Sequence, residues 1–298
     1  MGRPSRSGRV APTSYRSLAR TTLGEDRAGH DRTTRSLLPV RVPATADVVV
    51  QARGVLSGLE AARAVAASAR LRTGGRLRDG ATVRPGDVVL TLEGDARAIL
   101  AAERSILNLL MHASGVATAT ARAVRGTRGT RPNLEIWATR KTLPGLRDLE
   151  KAAVSHGGGH SHRRDLSDGL LIKSNHLALV PLETAIARVR GRAPIGERVE
   201  VEVRTQGEAL RAARAGANAL LIDNASPTRA RAIVRALEAA GLRASRWIEL
   251  SGGITPETVA RYRRVGANAV SLGSLTHSAP ALPFHLRLRP VRLSHLRP

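Results

Sequence analysis

From about residue 130 onward, short apolar runs alternate with amphipathic stretches. The runs Leu134 to Ala138, Gly169 to Lys173, Val199 to Val203, Ala219 to Asp223, Trp247 to Leu250 and Ala269 to Leu272 have the length and β-branched content of buried strands. Between them, Gly207 to Ala215, Pro227 to Ala240 and Pro256 to Val265 carry apolar residues at helical spacing. Parallel βα units repeated at this length favour an α/β barrel, complete or partial, over an open sheet. Within Val-Glu-Val-Glu-Val, Glu200 and Glu202 are expected to divide, one facing the barrel interior and the other the helices. Before residue 130 the pattern is mixed. Strand-like Asp47 to Ala52 and Asp87 to Glu93, Gly/Pro turns and a helix from about 95 to 112 make an α+β domain over about 20–118. Residues 1–19 have no apolar periodicity and read as a disordered basic extension.

Composition limits the partners. The 298 residues are 42% hydrophobic, enough for a real core. Lys and Arg number 48 against 24 Asp and Glu, a formal charge of +24. Such an excess would ordinarily put nucleic acid first. Here the arginines are scattered through ordinary helical text, and two Trp, two Tyr and one Phe leave little to stack bases, which weakens the inference, and small polyanionic substrates fit equally well. No cysteine is present, which excludes a thiolate nucleophile, disulfides and Cys-ligated metal. No apolar run reaches membrane-spanning length and the N-terminus has no apolar signal core, so the expected setting is the cytoplasm, with no membrane partner.

The candidate chemistry gathers at strand ends. Only three of the cationic side chains are lysine, at 141, 151 and 173, in a chain that otherwise writes arginine. A retained lysine points to a compact ammonium where a guanidinium would not serve. Arg140 and Lys141 follow the first barrel strand, Lys173 ends the second, Glu202 lies near the end of the third and Asp223 ends the fourth; Ser251, Gly252 and Gly253 follow the fifth, Gly273 and Ser274 the sixth. The C-terminal rim is where barrel enzymes carry catalysis, and glycine loops after the last strands offer backbone N–H groups to a phosphate. A structural salt bridge is the plain alternative for Glu202 and Asp223. The run Gly157 to Gly159, ahead of His160, His162, Arg163 and Arg164, reads as backbone making room for an anion. His156, His160, His162 and His176 match no familiar zinc spacing, and nearby arginines disfavour a dication. Arg104 and Asn108, four apart on a helix, read as no more than a helix face.

The segments ERSILNLLMHASGVAT, TRKTLPGLR, EKAAVSHGGGHSHR, LLIKSNH, VEVEV, LLIDN, SGGIT and LGSLTHS occur in the order found in the quinolinate phosphoribosyltransferase family, and the chain resembles that family from about residue 20 to 282. The resemblance implies a type II phosphoribosyltransferase fold: an N-terminal α/β sandwich domain over 20–118 with a return segment over 275–298, and an incomplete, TIM-like α/β barrel over 119–274. It implies that phosphoribosyl pyrophosphate and quinolinate are joined with loss of pyrophosphate and carbon dioxide, giving nicotinate mononucleotide for NAD biosynthesis. It implies a homodimer, without fixing any higher assembly, in which Arg104 acts in the partner's site. By the same resemblance Arg104, Arg140, His162 and Arg163 grip the quinolinate carboxylates, and Lys141 and Lys173 stand beside the substrates and pyrophosphate. Glu202 and Asp223 face the ribose hydroxyls and Mg²⁺. The metal is carried by the substrate, with those two acids as its candidate protein ligands. Ser251, Gly252, Gly253, Gly273 and Ser274 hold the 5-phosphate. Ala138, Ser161 and Ser174 depart from the Asp, Asn and Asp common in the family, which touches hydrogen bonding behind the site. Two other readings compete: a related phosphoribosyltransferase acting on nicotinate or another heteroaromatic acid, and a basic nucleic-acid-binding protein on the same scaffold.

Overall fold

A computed structural model describes residues 12–129 and 134–291. Helix α1, Pro12–Glu25, takes up 12–19 of the stretch expected to be disordered over 1–19; residues 1–11 lie outside the described ones. Tyr15 and Ala19, one helical turn apart, are buried, a short apolar stripe that the surrounding arginines hide in the sequence. Next come α2, Arg32–Leu37; β1, Pro43–Val50; β2, Gly54–Val55; and α3, Leu59–Ser68. Strands β3, Arg72–Gly74; β4, Thr82–Val83; and β5, Val88–Asp95, lead into α4, Ala96–Thr127.

Helix α4 runs 32 residues, well past the expected end near 112. Ala113, Val116, Ala117 and Ala123 are all buried, so its apolar stripe continues through Gly115. That glycine reads as a helix breaker but serves close approach, since a Cβ there would lie 2.3 Å from the Pro280 carbonyl oxygen.

The second half contains β6, Glu135–Ala138; α5, Arg147–His156; β7, His160–Ser161; β8, Leu170–Ile172; α6, Ser174–Leu177; and α7, Leu182–Arg190. It continues with β9, Val199–Val203; α8, Gln206–Arg214; β10, Ala219–Asp223; α9, Pro227–Ala239; and β11, Trp247–Ser251. Strand β12, Ala269–Leu272, helix α10, Ser274–His277, and β13, Phe284–Pro290, complete it. Where a helix was expected over Pro256 to Val265 there is only a 3-10 turn, Val259–Tyr262. Thr255 and Thr258 bond each other's backbone and hydroxyl groups, an arrangement that competes with helix formation.

The described residues form two compact units, one of 12–119, 143–158 and 279–291, the other of 120–129, 134–142 and 159–278. In the first, a four-stranded antiparallel sheet has the order β13-β1-β5-β3. The return strand β13 thus pairs with β1. The Asp47 carboxylate of β1 is buried beneath β13, within 2.6 Å of Arg289 Nη2 and 3.5 Å of Arg287 Nη2.

In the second unit, seven parallel strands have the order β7-β6-β12-β11-β10-β9-β8. Strands β7 and β8 are consecutive in the chain yet form the two sheet edges, so the barrel is incomplete. Val199, Val201 and Val203 are buried on the face covered by α7 and α8. Glu200 and Glu202 both point to the other face: Glu200 meets His162, and Glu202 meets Lys173 and Arg204. The expected division of the two acids is therefore wrong, because residues two apart on a strand share a face. No helix among the described residues is long and apolar enough to cross a membrane.

Candidate active site at the barrel mouth

Parallel strands place their C-terminal ends on one rim, and the register fixes which side chains meet there. Glu202 lies beside Leu221 in the β9–β10 ladder, and Asp223 follows two residues later beside Ser251 of β11. Arg204 spans the two acids, its Nη2 3.4 Å from Asp223 Oδ2 and 3.6 Å from Glu202 Oε1. Lys173 Nζ stands 4.0 Å from the other oxygen of Glu202. These are loose pairs on exposed cations, and contacts of that kind rearrange readily for a ligand.

Lys141 is anchored by its backbone while its side chain is exposed. Its N–H donates to Thr139 Oγ1 at 3.1 Å, and its carbonyl accepts from Thr276 Oγ1 at 2.7 Å. Gly273 lets the lysine stem pass, since a Cβ there would stand 3.0 Å from Lys141 Cδ. Ser274 Oγ bonds the Ile254 carbonyl at 3.4 Å, tying the last two loops together. The loop after β11 is shaped by Gly252, at φ 91°, where a Cβ would lie 2.3 Å from Asn224 Oδ1 and 2.6 Å from Asn224 N. Asn224, itself at φ 51°, donates its amide N–H to the Ser251 carbonyl and its Nδ2 to Asp223.

Arg140 and Arg163, after neighbouring strands β6 and β7, lie near each other. Burial, followed by the charge of Arg140, holds the Arg163 guanidinium below its ordinary pKa. Among the described residues no carboxylate forms an ion pair with either one. Two adjacent guanidiniums that no carboxylate pairs are a ready receptor for an anion, above all a carboxylate that can take both forks.

Beneath the mouth is a second, buried layer. His162 Nε2 lies 2.9 Å from Glu200 Oε2 and 3.6 Å from Glu249 Oε2, and its Nδ1 accepts the Arg163 backbone N–H at 2.8 Å. Burial, then the neighbouring charge of Glu200, pushes Glu249 up to about 7. Burial alone would lower the His162 pKa, but the Glu200 hydrogen bond and the charge of Glu249 more than offset it and the net shift is upward. The Nδ1 bond nevertheless requires an unprotonated Nδ1, so the ring in this geometry is the neutral Nε2–H tautomer. Trp137 and Trp247, 5.7 Å apart between ring centres, close the layer below.

The strands therefore bring Arg140, Lys141, Lys173, Glu202, Asp223, Arg163 and the Ser251 and Gly273 loops to one rim, with His162 a level deeper. Arg104 and Asn108 are exposed on α4, in the other unit. The Gly157 to Gly159 run, expected to give room to an anion, ends α5, with the Gly157 and Gly158 amides closing its last turn. The four histidines go separate ways: His156 bonds Ser57 Oγ, His176 accepts the Lys173 amide, His160 lies against Trp137 and His162 bonds Glu200. Sequence reasoning missed Arg204, Asn224, Thr276 and Glu249. Asn224 and Thr276 stand inside motifs already singled out, whereas nothing local marks Arg204 or Glu249.

Comparison with known proteins adds an independent line. The model of the quinolinate phosphoribosyl transferase C-terminal domain matches residues 116–287, and that of the N-terminal domain matches 31–114. A protein of Methanothermobacter thermautotrophicus named probable nicotinate-nucleotide pyrophosphorylase (carboxylating) is 40% identical over 273 residues, covering 91% of this chain and 98% of its own. The nicotinate-nucleotide pyrophosphorylase (carboxylating) of Rattus norvegicus is 34% identical over 280 residues, covering 94% of this chain and 92% of its own. The crystal structure of NadC from Streptococcus pyogenes superposes with a TM-score of 0.86 at 34% identity, over 96% of this chain and all of that one.

Proposed function

The chain belongs to the quinolinate phosphoribosyl transferase family, and from that premise we propose that it is the carboxylating nicotinate-nucleotide pyrophosphorylase, a pentosyltransferase of NAD biosynthesis. It joins quinolinate to phosphoribosyl pyrophosphate and releases pyrophosphate and carbon dioxide. The observation that carries this reading is the adjacency of Arg140 and Arg163, neither ion-paired to a carboxylate among the described residues, beside Lys141 and Lys173. Such a mouth suits two polyanions.

The chemistry then follows from the groups present. Arg140 and Arg163 hold the pyridine dicarboxylate by paired N–H···O bonds that fix its orientation as well as its charge. Arg104, exposed on α4, completes that grip from the partner subunit of a homodimer. Lys141 and Lys173 stand against the pyrophosphate, and the Ser251–Gly253 and Gly273–Ser274 loops receive the 5-phosphate. The pyridine nitrogen attacks the anomeric carbon as the bond to pyrophosphate breaks, and Glu202 and Asp223 stabilise the positive charge that develops there. The pyridinium then accepts the electron pair of the bond to the departing carboxylate, and a proton takes the vacated ring position. No covalent nucleophile is required, so rate enhancement comes from positioning and fixed charge.

Glu202 and Asp223 offer hard oxygen donors at adjacent strand ends, the chemistry Mg²⁺ accepts from protein when substrate phosphates supply other ligands. Bound there, Mg²⁺ would neutralise the leaving pyrophosphate. The protein works in the cytoplasm on this reading.

The direct test is product formation. Purified protein with phosphoribosyl pyrophosphate, Mg²⁺ and quinolinate should give nicotinate mononucleotide and carbon dioxide, and a chelator should stop it. Turnover of nicotinate and not quinolinate would move the protein to a different acid substrate. Tight, salt-sensitive nucleic-acid binding without turnover would remove it from enzymes altogether. Mixing Arg104→Ala with Lys141→Ala should restore part of the activity, since exchanged dimers regain one intact site; no recovery after subunit exchange would refute the shared site.

A further inference from the structure

We propose that a cavity at the end of the barrel where its strands begin, walled by Arg231 and Arg235 of α9 and by Arg261, Arg263 and Arg264 around the 3-10 turn, binds a short phosphate chain and is separate from the mouth.

Local sequence builds the cavity. Arg231 and Arg235, four apart on α9, stand on one helix face. Opposite them the chain leaves the turn Val259–Tyr262 and passes through Arg263, Arg264, Val265 and Gly266 to reach β12. Gly266, at φ 87°, brings that segment against the helix, since a Cβ there would stand 3.2 Å from Val234 Cγ1. Arg231 Nε donates to the Arg264 carbonyl at 3.2 Å, and Arg243 Nη2 donates to the Gly266 carbonyl at 2.8 Å. Val234 and Val265 are buried. The space left between helix and turn is about 810 Å³, within the range that holds a small ligand.

Its charge is one-sided. Five arginines and a single acid, Glu238, line it, a net charge of +4. Among the described residues none of the five forms an ion pair with a carboxylate, although exposed arginines elsewhere do find acids, as Arg211 does with Glu183 and Arg122 with Glu257. Two of the five are aimed by backbone: Arg231 through the bond just given, and Arg263 through Nη2, which donates to the Arg128 carbonyl at 2.6 Å. Each such bond uses one guanidinium donor and leaves the others for a ligand. Like charges gathered in a concave space repel one another, and an anion placed among them relieves several of those repulsions at once.

The lining also sets the chemical class. A phosphate chain puts many acceptor oxygens into a small volume, which guanidinium forks match. No aromatic side chain is among the described residues that line the cavity, so a base would find nothing to stack on. Inorganic tripolyphosphate and a nucleoside triphosphate therefore present the same recognisable part. The place is apart from the chemistry, because Gly266 precedes β12 and Gly273 follows it, roughly 20 Å away along the strand. A ligand here leaves the mouth open to its substrates.

Calorimetric titration of the full chain with inorganic tripolyphosphate, without Mg²⁺ and at about 0.15 M salt, tests the site. The mouth also attracts polyphosphate, so binding is read in a protein carrying Lys141→Ala and Lys173→Ala. One tripolyphosphate per protomer should still bind there. Adding Arg235→Gln and Arg264→Gln should weaken it at least about tenfold. Adding Arg188→Gln and Arg192→Gln instead, which removes equal charge from exposed positions on and just past α7, should weaken it by less than about twofold. Arg235 and Arg264 are exposed, so their replacement leaves the core intact; Ala260→Glu, which sets a carboxylate among the five arginines, is an independent perturbation and should weaken binding as much. Adenosine triphosphate should bind within about threefold of tripolyphosphate. No binding once the mouth lysines are gone, an equal loss with the control pair, a strong preference for the nucleotide, or displacement of tripolyphosphate by a short DNA duplex would overturn the proposal. With the mouth intact, Arg235→Gln with Arg264→Gln should leave kcat/KM for both substrates within about twofold, and a larger loss would refute the separation of the two sites.

Discussion

Glu200 and Glu202 sit two residues apart on one strand and face the same interior, yet they live in opposite regimes. Glu202, with Asp223, meets exposed cations at 3.4 to 4.0 Å, loose contacts open to exchange with a ligand. Glu200 is buried one level below, bonded to His162 at 2.9 Å and beside a second buried acid. One strand period, about 6.6 Å, thus divides a layer built to be rearranged by substrate from a layer built to stay put. The same residue types serve both. Exposure of the partners decides between them: the Glu202 and Glu200 side chains are themselves only 9% and 7% exposed, whereas Lys173 and Arg204 are 47% and 54% exposed and His162 is 15% exposed.

The sharpest way to break this contrast is at the mouth. Lys141→Ala should lower kcat/KM by about 100- to 1000-fold, the loss seen when one preorganised charge-stabilising donor is removed. Its melting temperature should barely move, because the side chain is exposed and its anchoring bonds are made by its backbone. A large loss of stability with little loss of rate would place Lys141 in the structural layer instead.

The lower layer makes the opposite prediction, through pH. Glu249 holds its proton up to about 7 when folded, against 4.5 when unfolded. Between those values the folded state carries more protons, so stability falls as pH rises and levels off above about 7. Denaturant unfolding should therefore give a protein roughly 2 to 3 kcal/mol less stable at pH 8 than at pH 5. Glu249→Gln, which cannot titrate, should remove most of that slope; an unchanged slope would mean that this layer is not its source.

Between the two layers stands the loop after β11. Gly252→Ala places a methyl group 2.3 Å from Asn224 Oδ1 at a φ of 91°, which the side chain and its bond to Asp223 must yield to. KM for phosphoribosyl pyrophosphate should rise about tenfold, with KM for quinolinate much less affected, if this loop receives the 5-phosphate. Equal effects on both would move the loop out of the phosphate site.

The barrel was legible in the sequence wherever burial on both faces wrote an unbroken apolar run, as in Ala219 to Asp223, which is β10 residue for residue. Strand β7 was not, because two residues, His160 and Ser161, carry no period. Helix α4 was cut short around Gly115, which looks like a breaker, since the reason for that glycine lies 165 residues away at Pro280. The rim residues could be read because parallel strands align their C-terminal ends. The buried layer of His162, Glu200 and Glu249 could not: it depends on how far the sheet curls, which is not encoded locally. Arg204 was invisible for a related reason, being one more arginine among 48 cationic side chains until Glu202 and Asp223 meet in space.

Arg204 also supplies the smallest test. Its guanidinium is half exposed and meets two mostly buried acids only at 3.4 to 3.6 Å, so its loose pairings are partly screened and its ordering opposes them. Arg204→Ala should change the free energy of unfolding by less than about 1 kcal/mol. Raising salt should shrink even that difference, whereas the pH slope assigned to Glu249 should persist, since a buried pair is poorly reached by counterions. If Arg204→Ala proved as destabilising as a lesion among His162, Glu200 and Glu249, the two layers would be one, and the exchange of Arg204 for a bound substrate's charge would lose its energetic basis.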